Sequence, residues 1–234
     1  MNIFKILLCF AILCTTYSYG LNLIDDFSNG MSQWNNLSGN YAIDNGLLKH
    51  TAPVSGQNPY GVIELNMDIS EDFIVQADFS INSQSLGNNS VGFAVIQNPT
   101  NLLWFHFFPG YTGGAFRVEK WINGTKYVIV SNQHMGFTPQ PNQQYTMKLI
   151  SDGYNYTSYI KNEVGDSGFD YSYSYTDNSW NNGRIGFMHY TWNALGQGYF
   201  DNFKADFTAQ IPEPATVFML VISLCAMIKF IKLK

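Results

Sequence analysis

Between residues 21 and 210, apolar and polar positions alternate in short runs that are separated by turns. A period of two residues is typical of β-strands, and no window keeps a helical period for more than two turns. Three dipeptides that favour two-residue hairpin turns interrupt strand-like arms: Asn45-Gly46, Asn123-Gly124 and Asp152-Gly153. Because such turns need positive φ, which these residues tolerate, the pattern predicts three antiparallel hairpins.

Five further runs are rich in apolar, β-branched and aromatic residues: 72–81, 90–96, 102–108, 184–190 and 198–207. We expect the first three to be central strands and the last two to close the domain. About a dozen strands at this spacing predict two packed sheets. No internal repeat or long linker divides the segment, so residues 21–210 are predicted to form one all-β, antiparallel, two-sheet domain.

The N-terminal end follows a different pattern. Lys5 precedes an uninterrupted apolar run at residues 6–14, and Ser18 and Gly20 place small residues at the two positions that a signal peptidase inspects. Residues 1–20 are therefore predicted to be a signal peptide with an apolar signal helix, cleaved after Gly20.

The C-terminal residues 211–234 begin with Pro212, Glu213 and Pro214, continue with the uncharged residues 215–228 and end in spaced lysines. An apolar helix with a basic end is predicted to insert in a membrane with its lysines on the cytoplasmic side. The uncharged run spans only about 21 Å, against about 30 Å of hydrocarbon core. A transmembrane helix of this length would be a marginal permanent anchor.

This order of parts resembles the PEP-CTERM sorting signal of Gram-negative, exopolysaccharide-producing bacteria. In that family, a membrane-embedded exosortase cuts at or near the motif and releases or transfers the protein to the cell exterior. The resemblance implies that Pro212, Glu213 and Pro214 form the recognition motif, and that the protein reaches the cell surface or extracellular matrix. A plain single-span anchor is the alternative, since spaced lysines replace the family's arginine cluster.

The exported domain, without the two terminal segments, differs in composition from the full chain. All three cysteines, Cys9, Cys14 and Cys225, lie in the terminal segments, so the domain has no disulfides or thiolate metal sites. The full chain has a net charge of -5, whereas residues 21–210 carry 8 basic and 16 acidic residues, a net charge of -8. Such a charge disfavours nucleic-acid binding.

Four stretches of the domain resemble concanavalin A-like jelly rolls, the superfamily of laminin-G-like modules, legume-type lectins and laminarinase-type glucanases: residues 24–34, 44–47, 184–187 and 200–203. The first two look like the opening strands of such bacterial modules, and the last two look like their penultimate and final strands. The resemblance implies a jelly-roll sandwich but not a ligand, because this fold hosts both binding modules and enzymes.

Catalytic and metal-binding patterns are weak. Retaining glycosidases need two carboxyl groups about 5 to 5.5 Å apart, and the Glu-x-Asp-x-x-Glu pattern of the glucanases is absent. The four histidines are scattered, and no protease or metallohydrolase motif occurs. We therefore predict no enzyme activity and no cofactor. Asp26 and Asp201, near the first and last strands, remain a candidate pair for a structural Ca²⁺.

An aromatic surplus marks the candidate ligand site. In residues 102–108, alternation places Trp104, His106 and Phe108 on one face and Phe105 and Phe107 on the other. Both faces cannot be deep core in a two-layer sandwich, so one is predicted to be partly open. The full set of predicted sugar-binding residues is Trp104, His106, Arg117, Glu119, Trp121, His189 and Trp192. Rings offer flat faces to sugars, and charged neighbours bond to hydroxyls.

These patterns predict an exported, non-catalytic carbohydrate-binding protein that associates with exopolysaccharide. Its processing partners would be signal peptidase and exosortase, and it would contact the membrane through its C-terminal helix. A carbohydrate-active hydrolase of related fold, such as the keto-disaccharide hydrolase-like domains, is one alternative. A structural matrix or surface protein without a sugar ligand is the other.

The two terminal predictions can be checked together by intact-mass spectrometry of the exported protein. Cleavage at both ends predicts a chain that begins at Leu21 and lacks the apolar tail beyond the motif at residues 212–214. A mass corresponding to an intact tail would favour the single-span anchor, and an uncleaved N-terminus would contradict export by a signal peptide.

Overall fold

The computed structural model describes residues 20–51, 60–69, 72–82, 89–108, 114–180, 182–191 and 196–208. This part of the chain contains fifteen β-strands and no helix. The strands are β1 Gly20–Asp25, β2 Trp34–Ser38, β3 Asn40–Asp44, β4 Leu47–Thr51, β5 Tyr60–Leu65, β6 Phe73–Asn82, β7 Asn89–Asn98, β8 Asn101–Phe108, β9 Ala115–Ile122, β10 Thr125–His134, β11 Gln144–Asp152, β12 Asn155–Lys161, β13 Tyr171–Thr176, β14 Arg184–Thr191 and β15 Gln197–Thr208.

The strands form two sheets. An eight-stranded sheet has the order β13-β12-β11-β6-β15-β4-β3, and β1 also pairs with β15. A seven-stranded sheet has the order β10-β9-β8-β7-β14-β5-β2. Neighbours along both paths are antiparallel. The prediction of an all-β, two-sheet antiparallel sandwich is confirmed.

All three predicted hairpins are present. Asn45 and Gly46 both have positive φ between β3 and β4, and so do Asn123 and Gly124 between β9 and β10. The third turn is displaced by one residue, because Asp152 pairs with Asn155 at the strand ends. Its central residues are therefore Gly153, which has positive φ, and Tyr154.

Aromatic rings fill the space between the sheets. Phe187 on β14 is fully buried, and its ring centroid lies 4.9 Å from that of Trp34 and 4.7 Å from that of Phe200. Phe79 and Phe93, one from each sheet, lie 5.6 Å from Phe187. Packed rings of this size supply much of the buried apolar area of a domain.

Two histidines also meet in this interior. His50 on β4 and His189 on β14 are both fully buried, and their Nδ1 atoms are 2.7 Å apart. One Nδ1 must donate and the other accept, so at most one of the two rings carries a proton at Nδ1. The ring of His50 fits only because Gly39 and Gly61 lack side chains, since an added Cβ would lie 2.4 or 2.3 Å from it.

Residues Leu21–Phe207 form one compact unit. The predicted signal helix and the predicted tail at residues 211–234, including the motif Pro212, Glu213 and Pro214, lie outside the described residues. Within the part of the chain that is described, no helix has the length and apolar character needed to cross a bilayer.

The histidine pair predicts how stability depends on pH. Burial lowers the pKa of His50 to about 4, and burial and the neighbouring His50 lower the pKa of His189 well below its ordinary value of 6.5. Between pH 6.5 and about 4 the unfolded chain binds protons that the folded chain excludes. The free energy of unfolding should therefore fall as pH falls through this window, by up to about 1.4 kcal/mol per pH unit for each histidine.

Urea denaturation of the wild type and of His50→Gln at several pH values measures this dependence. The variant should show a shallower slope between pH 6 and pH 5 than the wild type. Comparing slopes keeps the test valid even if the substitution lowers stability at every pH. Equal slopes would show that His50 does not resist protonation in the folded protein.

Candidate functional site

The outer face of the seven-stranded sheet carries a second apolar cluster. Leu103, Phe105 and Phe107 on β8 face the main core, whereas Leu102 and Trp104 face outward. Four further buried residues from neighbouring strands complete this outer cluster: Val62, Ala94, Ile96 and Met188. The predicted alternation along β8 is thus confirmed, and both faces of this sheet bury large side chains.

Rings from three other strands cover this cluster. Tyr60 on β5, Trp121 on β9 and Tyr190 on β14 are partly buried against it. The ring of Tyr60 lies 4.7 Å from Tyr190 and meets Trp121 edge-on at 4.8 Å. Trp104 is consequently only 1% exposed, which differs from the open aromatic face expected from sequence. The exposed aromatic surface belongs instead to the rings that stand over it.

A cavity of about 170 Å³ opens among these rings, and we call it the outer-face pocket. Eight residues line it: Tyr60, Ser90, Trp104, Phe108, Arg117, Glu119, Lys126 and Tyr190. They come from six consecutive strands of the seven-stranded sheet, in the spatial order β10-β9-β8-β7-β14-β5. The strand order brings them together although they are spread over much of the sequence.

Glu119 is the electrostatic centre of the pocket and is 1% exposed. Its Oε1 accepts a hydrogen bond from Arg117 Nη1 at 3.1 Å, and Lys126 Nζ lies 3.7 Å from the same oxygen. Arg117 also donates to Asn132 through Nε and Nη2, and its guanidinium lies 4.6 Å from the ring centroid of Phe108. These contacts fix Arg117 in one orientation beside the carboxylate.

Several buried polar atoms at the pocket have no hydrogen-bond partner among the described residues. In the pocket wall these are Ser90 Oγ, Trp104 Nε1 and Glu119 Oε2. Both ring nitrogens of His106 and Nε1 of Trp121, which lie nearby, are also buried without a hydrogen-bond partner among the described residues. A buried polar group without a partner costs about 1 to 3 kcal/mol, so a cluster of them indicates a place where water or a ligand binds.

Two titratable side chains of the site, His106 and Tyr60, are held in their neutral forms. Burial lowers the pKa of His106 well below its ordinary value, and the positive charges of Arg117 and Lys126 act in the same direction. Burial raises the pKa of Tyr60 to about 12, with a further contribution from the charge of Glu119. At neutral pH, the site therefore offers hydroxyl, imidazole and indole groups around one carboxylate and two cations.

No protein-family model matches the sequence, and no curated protein matches it. Solved structures do match. Carbohydrate-binding module CBM66 from Bacillus subtilis aligns with a TM-score of 0.56 at 15% identity, over 76% of this chain and 97% of the module. A lectin from Bauhinia forficata in complex with GalNAc gives 0.57 at 13% identity, over 82% of this chain and 100% of the lectin.

A β-glucanase from Bacillus licheniformis gives a TM-score of 0.58 at 12% identity, over 82% of this chain and 100% of the glucanase. The shared feature is the fold. The sandwich is a jelly roll of the kind that these carbohydrate-binding and carbohydrate-degrading proteins have, and the low identities carry no information about its ligand.

The jelly roll brings together five of the seven predicted site residues: Trp104, His106, Arg117, Glu119 and Trp121. Trp104 and His106 stack with centroids 3.6 Å apart, and His106 Nε2 lies 3.7 Å from Glu119 Oε1. The structure separates His189 from this group. It faces His50 in the interior, because it lies one residue from Tyr190 and consecutive strand residues point to opposite faces. Trp192 lies outside the described residues.

Five residues that line the pocket were not in the predicted set: Tyr60, Ser90, Phe108, Lys126 and Tyr190. Tyr60 and Ser90 are both opposite Tyr190 across neighbouring strands, and Lys126 is opposite Trp121. Only the last pair was accessible from sequence, because a hairpin at Asn123-Gly124 fixes the register of β9 and β10.

A second depression lies on the other sheet. A larger depression of about 530 Å³ on the outer face of the eight-stranded sheet includes Gln76, Asp166 and Lys204. Gln76 and Lys204 both donate to Asp166, at 2.7 and 2.9 Å, so these groups already satisfy one another.

At the candidate Ca²⁺ site, Asp26 lies close enough to Asp201 for its charge to act on the Asp201 carboxyl group. Burial is the main cause that raises the pKa of Asp201, and the charges of Asp78 and Asp26 act in the same direction. The described residues nevertheless contain no group of three or more histidine, cysteine or acidic side chains placed to hold a metal ion.

Proposed function

We propose that the chain is an exported, non-catalytic protein of the cell surface or extracellular matrix whose jelly roll binds polysaccharide in the outer-face pocket. The observation that carries this proposal is the combination of aromatic rings with unpartnered buried polar atoms in that pocket. Sugars have apolar C–H faces that pack on rings and hydroxyls that bond to polar atoms. Ser90, Trp104 and Glu119 line the pocket, and Ser90 Oγ, Trp104 Nε1 and Glu119 Oε2 have no hydrogen-bond partner among the described residues.

The pocket chemistry favours binding over hydrolysis. Hydrolysis of a glycosidic bond normally uses two carboxyl groups on opposite sides of the bond. Among the described residues that line the pocket, Glu119 is the only acid, and its Oε1 is engaged by Arg117. His106 does not line the pocket, so it is poorly placed to exchange protons with a substrate there.

The export part of the proposal rests on the sequence patterns at both chain ends. A signal peptide at residues 1–20 and a PEP-CTERM-like tail at 211–234 would deliver the jelly roll to the exterior through signal peptidase and exosortase. Extracellular polysaccharide is the abundant carbohydrate at that location, which makes it the first ligand to test.

Binding by the pocket predicts a specific effect of Glu119→Gln. The substitution preserves shape but removes the charge that strengthens hydrogen bonds from ligand hydroxyls, so affinity should fall by about tenfold or more. A glycan array identifies a bound sugar, and calorimetry with that sugar measures the affinities. Thermal unfolding of each variant shows whether the fold is retained.

The matched control is Glu163→Gln, because the Glu163 side chain is 73% exposed and lies outside the pocket. It should bind as the wild type does. The proposal fails if the folded wild type binds no glycan on the array and no isolated exopolysaccharide, or if Glu119→Gln binds a detected sugar with unchanged affinity.

A further inference from the structure

The outer-face pocket has an excess of positive charge within an acidic protein. Two cations, Arg117 and Lys126, and one carboxylate, Glu119, line it. The chain as a whole has a net charge of -5. Placing two cations beside one buried carboxylate leaves one positive charge without a balancing partner in the pocket wall.

The unbalanced cation is Lys126. Arg117 is committed to Glu119 at 3.1 Å and to Asn132 at 3.0 and 2.6 Å. Lys126 Nζ has longer contacts, 3.5 Å to Tyr60 Oη and 3.7 Å to Glu119 Oε1. Charge-assisted hydrogen bonds of an ammonium are typically about 2.7 to 2.9 Å, and the group has three donors. Lys126 therefore keeps donor capacity, and its side chain is 40% exposed.

The unpartnered polar atoms define what else the ligand must offer. Trp104 Nε1 can only donate, so its ligand partner must be an acceptor. Glu119 Oε2 can only accept while ionised, so its ligand partner must be a donor such as a hydroxyl. A simple anion lacks the donor, and a neutral sugar leaves the Lys126 charge unbalanced. A sugar acid supplies a hydroxyl, an acceptor and a negative charge in one residue.

We infer that the outer-face pocket selects a hexuronic acid residue of a polysaccharide, with the sugar carboxylate against Lys126 and a sugar hydroxyl donating to Glu119 Oε2. This inference rests on the proposed function and narrows its ligand class. The ring faces of Tyr60 and Tyr190 would then contact the apolar side of the sugar.

The test uses the full-length chain and calorimetry with oligosaccharides of glucuronic, galacturonic and mannuronic acid. Each is paired with its carboxyl-reduced counterpart, which keeps the hydroxyls and removes the charge. At least one acidic oligosaccharide should bind about tenfold more tightly than its neutral counterpart, because only its carboxylate can make a charge-assisted bond with Lys126. The difference should shrink when salt is raised.

Two variants assign the effect to the pocket. Lys126→Met should lower the ratio of the affinity for the acid to the affinity for its neutral counterpart to near one. Lys204→Met is the matched control, because Lys204 is 45% exposed and lies on the eight-stranded sheet. It should keep the preference.

Each remaining outcome decides against the inference. Neutral oligosaccharides that bind as tightly as the acids would overturn it and leave the proposed function standing. A preference that survives Lys126→Met, or that Lys204→Met also removes, would show general attraction of polyanions rather than selection by the pocket. If neither acidic nor neutral sugars bind, in calorimetry and on the glycan array, the proposed function and this inference both fail.

Discussion

Phe187 lies at the centre of the sandwich, where its ring contacts aromatic rings from both sheets. Its inward orientation fixes the register of β14, because shifting a strand by one residue exchanges its two faces. With Phe187 inside, Met188 and Tyr190 must face outward, where they join the cluster around Trp104. The same ring contacts that join the sheets therefore place Tyr190 in the wall of the outer-face pocket.

The outer face of the seven-stranded sheet buries polar side chains that lack hydrogen-bond partners among the described residues. Trp104 and Glu119 are nearly completely buried, yet each has a polar atom without a partner among the described residues. Protein interiors normally avoid such groups because water cannot compensate them. Their presence beside a cavity, with Arg117 held in place by Asn132 and Glu119, is the arrangement expected of a pocket formed before its ligand arrives. A rigid site of this kind loses little conformational freedom on binding.

The sequence allowed the fold class, the hairpins and the alternation along β8 to be predicted, because each depends on residues close in the chain. It could not show that Tyr60 and Ser90 flank Tyr190, since that contact depends on a strand order that joins distant segments. The same limit applies to His50 and His189, which meet across the two sheets. Predicting an open face at Trp104 was wrong for a related reason, as the covering rings come from β5, β9 and β14.

The central claim is that a sugar enters the outer-face pocket. The most direct measurement is the indole N–H region of a ¹⁵N NMR spectrum, recorded while the identified glycan is added to the full-length chain. Trp104 Nε1 has no partner among the described residues, whereas Trp34 Nε1 donates to Asp25 at 2.8 Å in the interior. We expect the Trp104 signal to move in a saturable way while the Trp34 signal stays in place. A Trp104 signal that does not move while the glycan binds would contradict it.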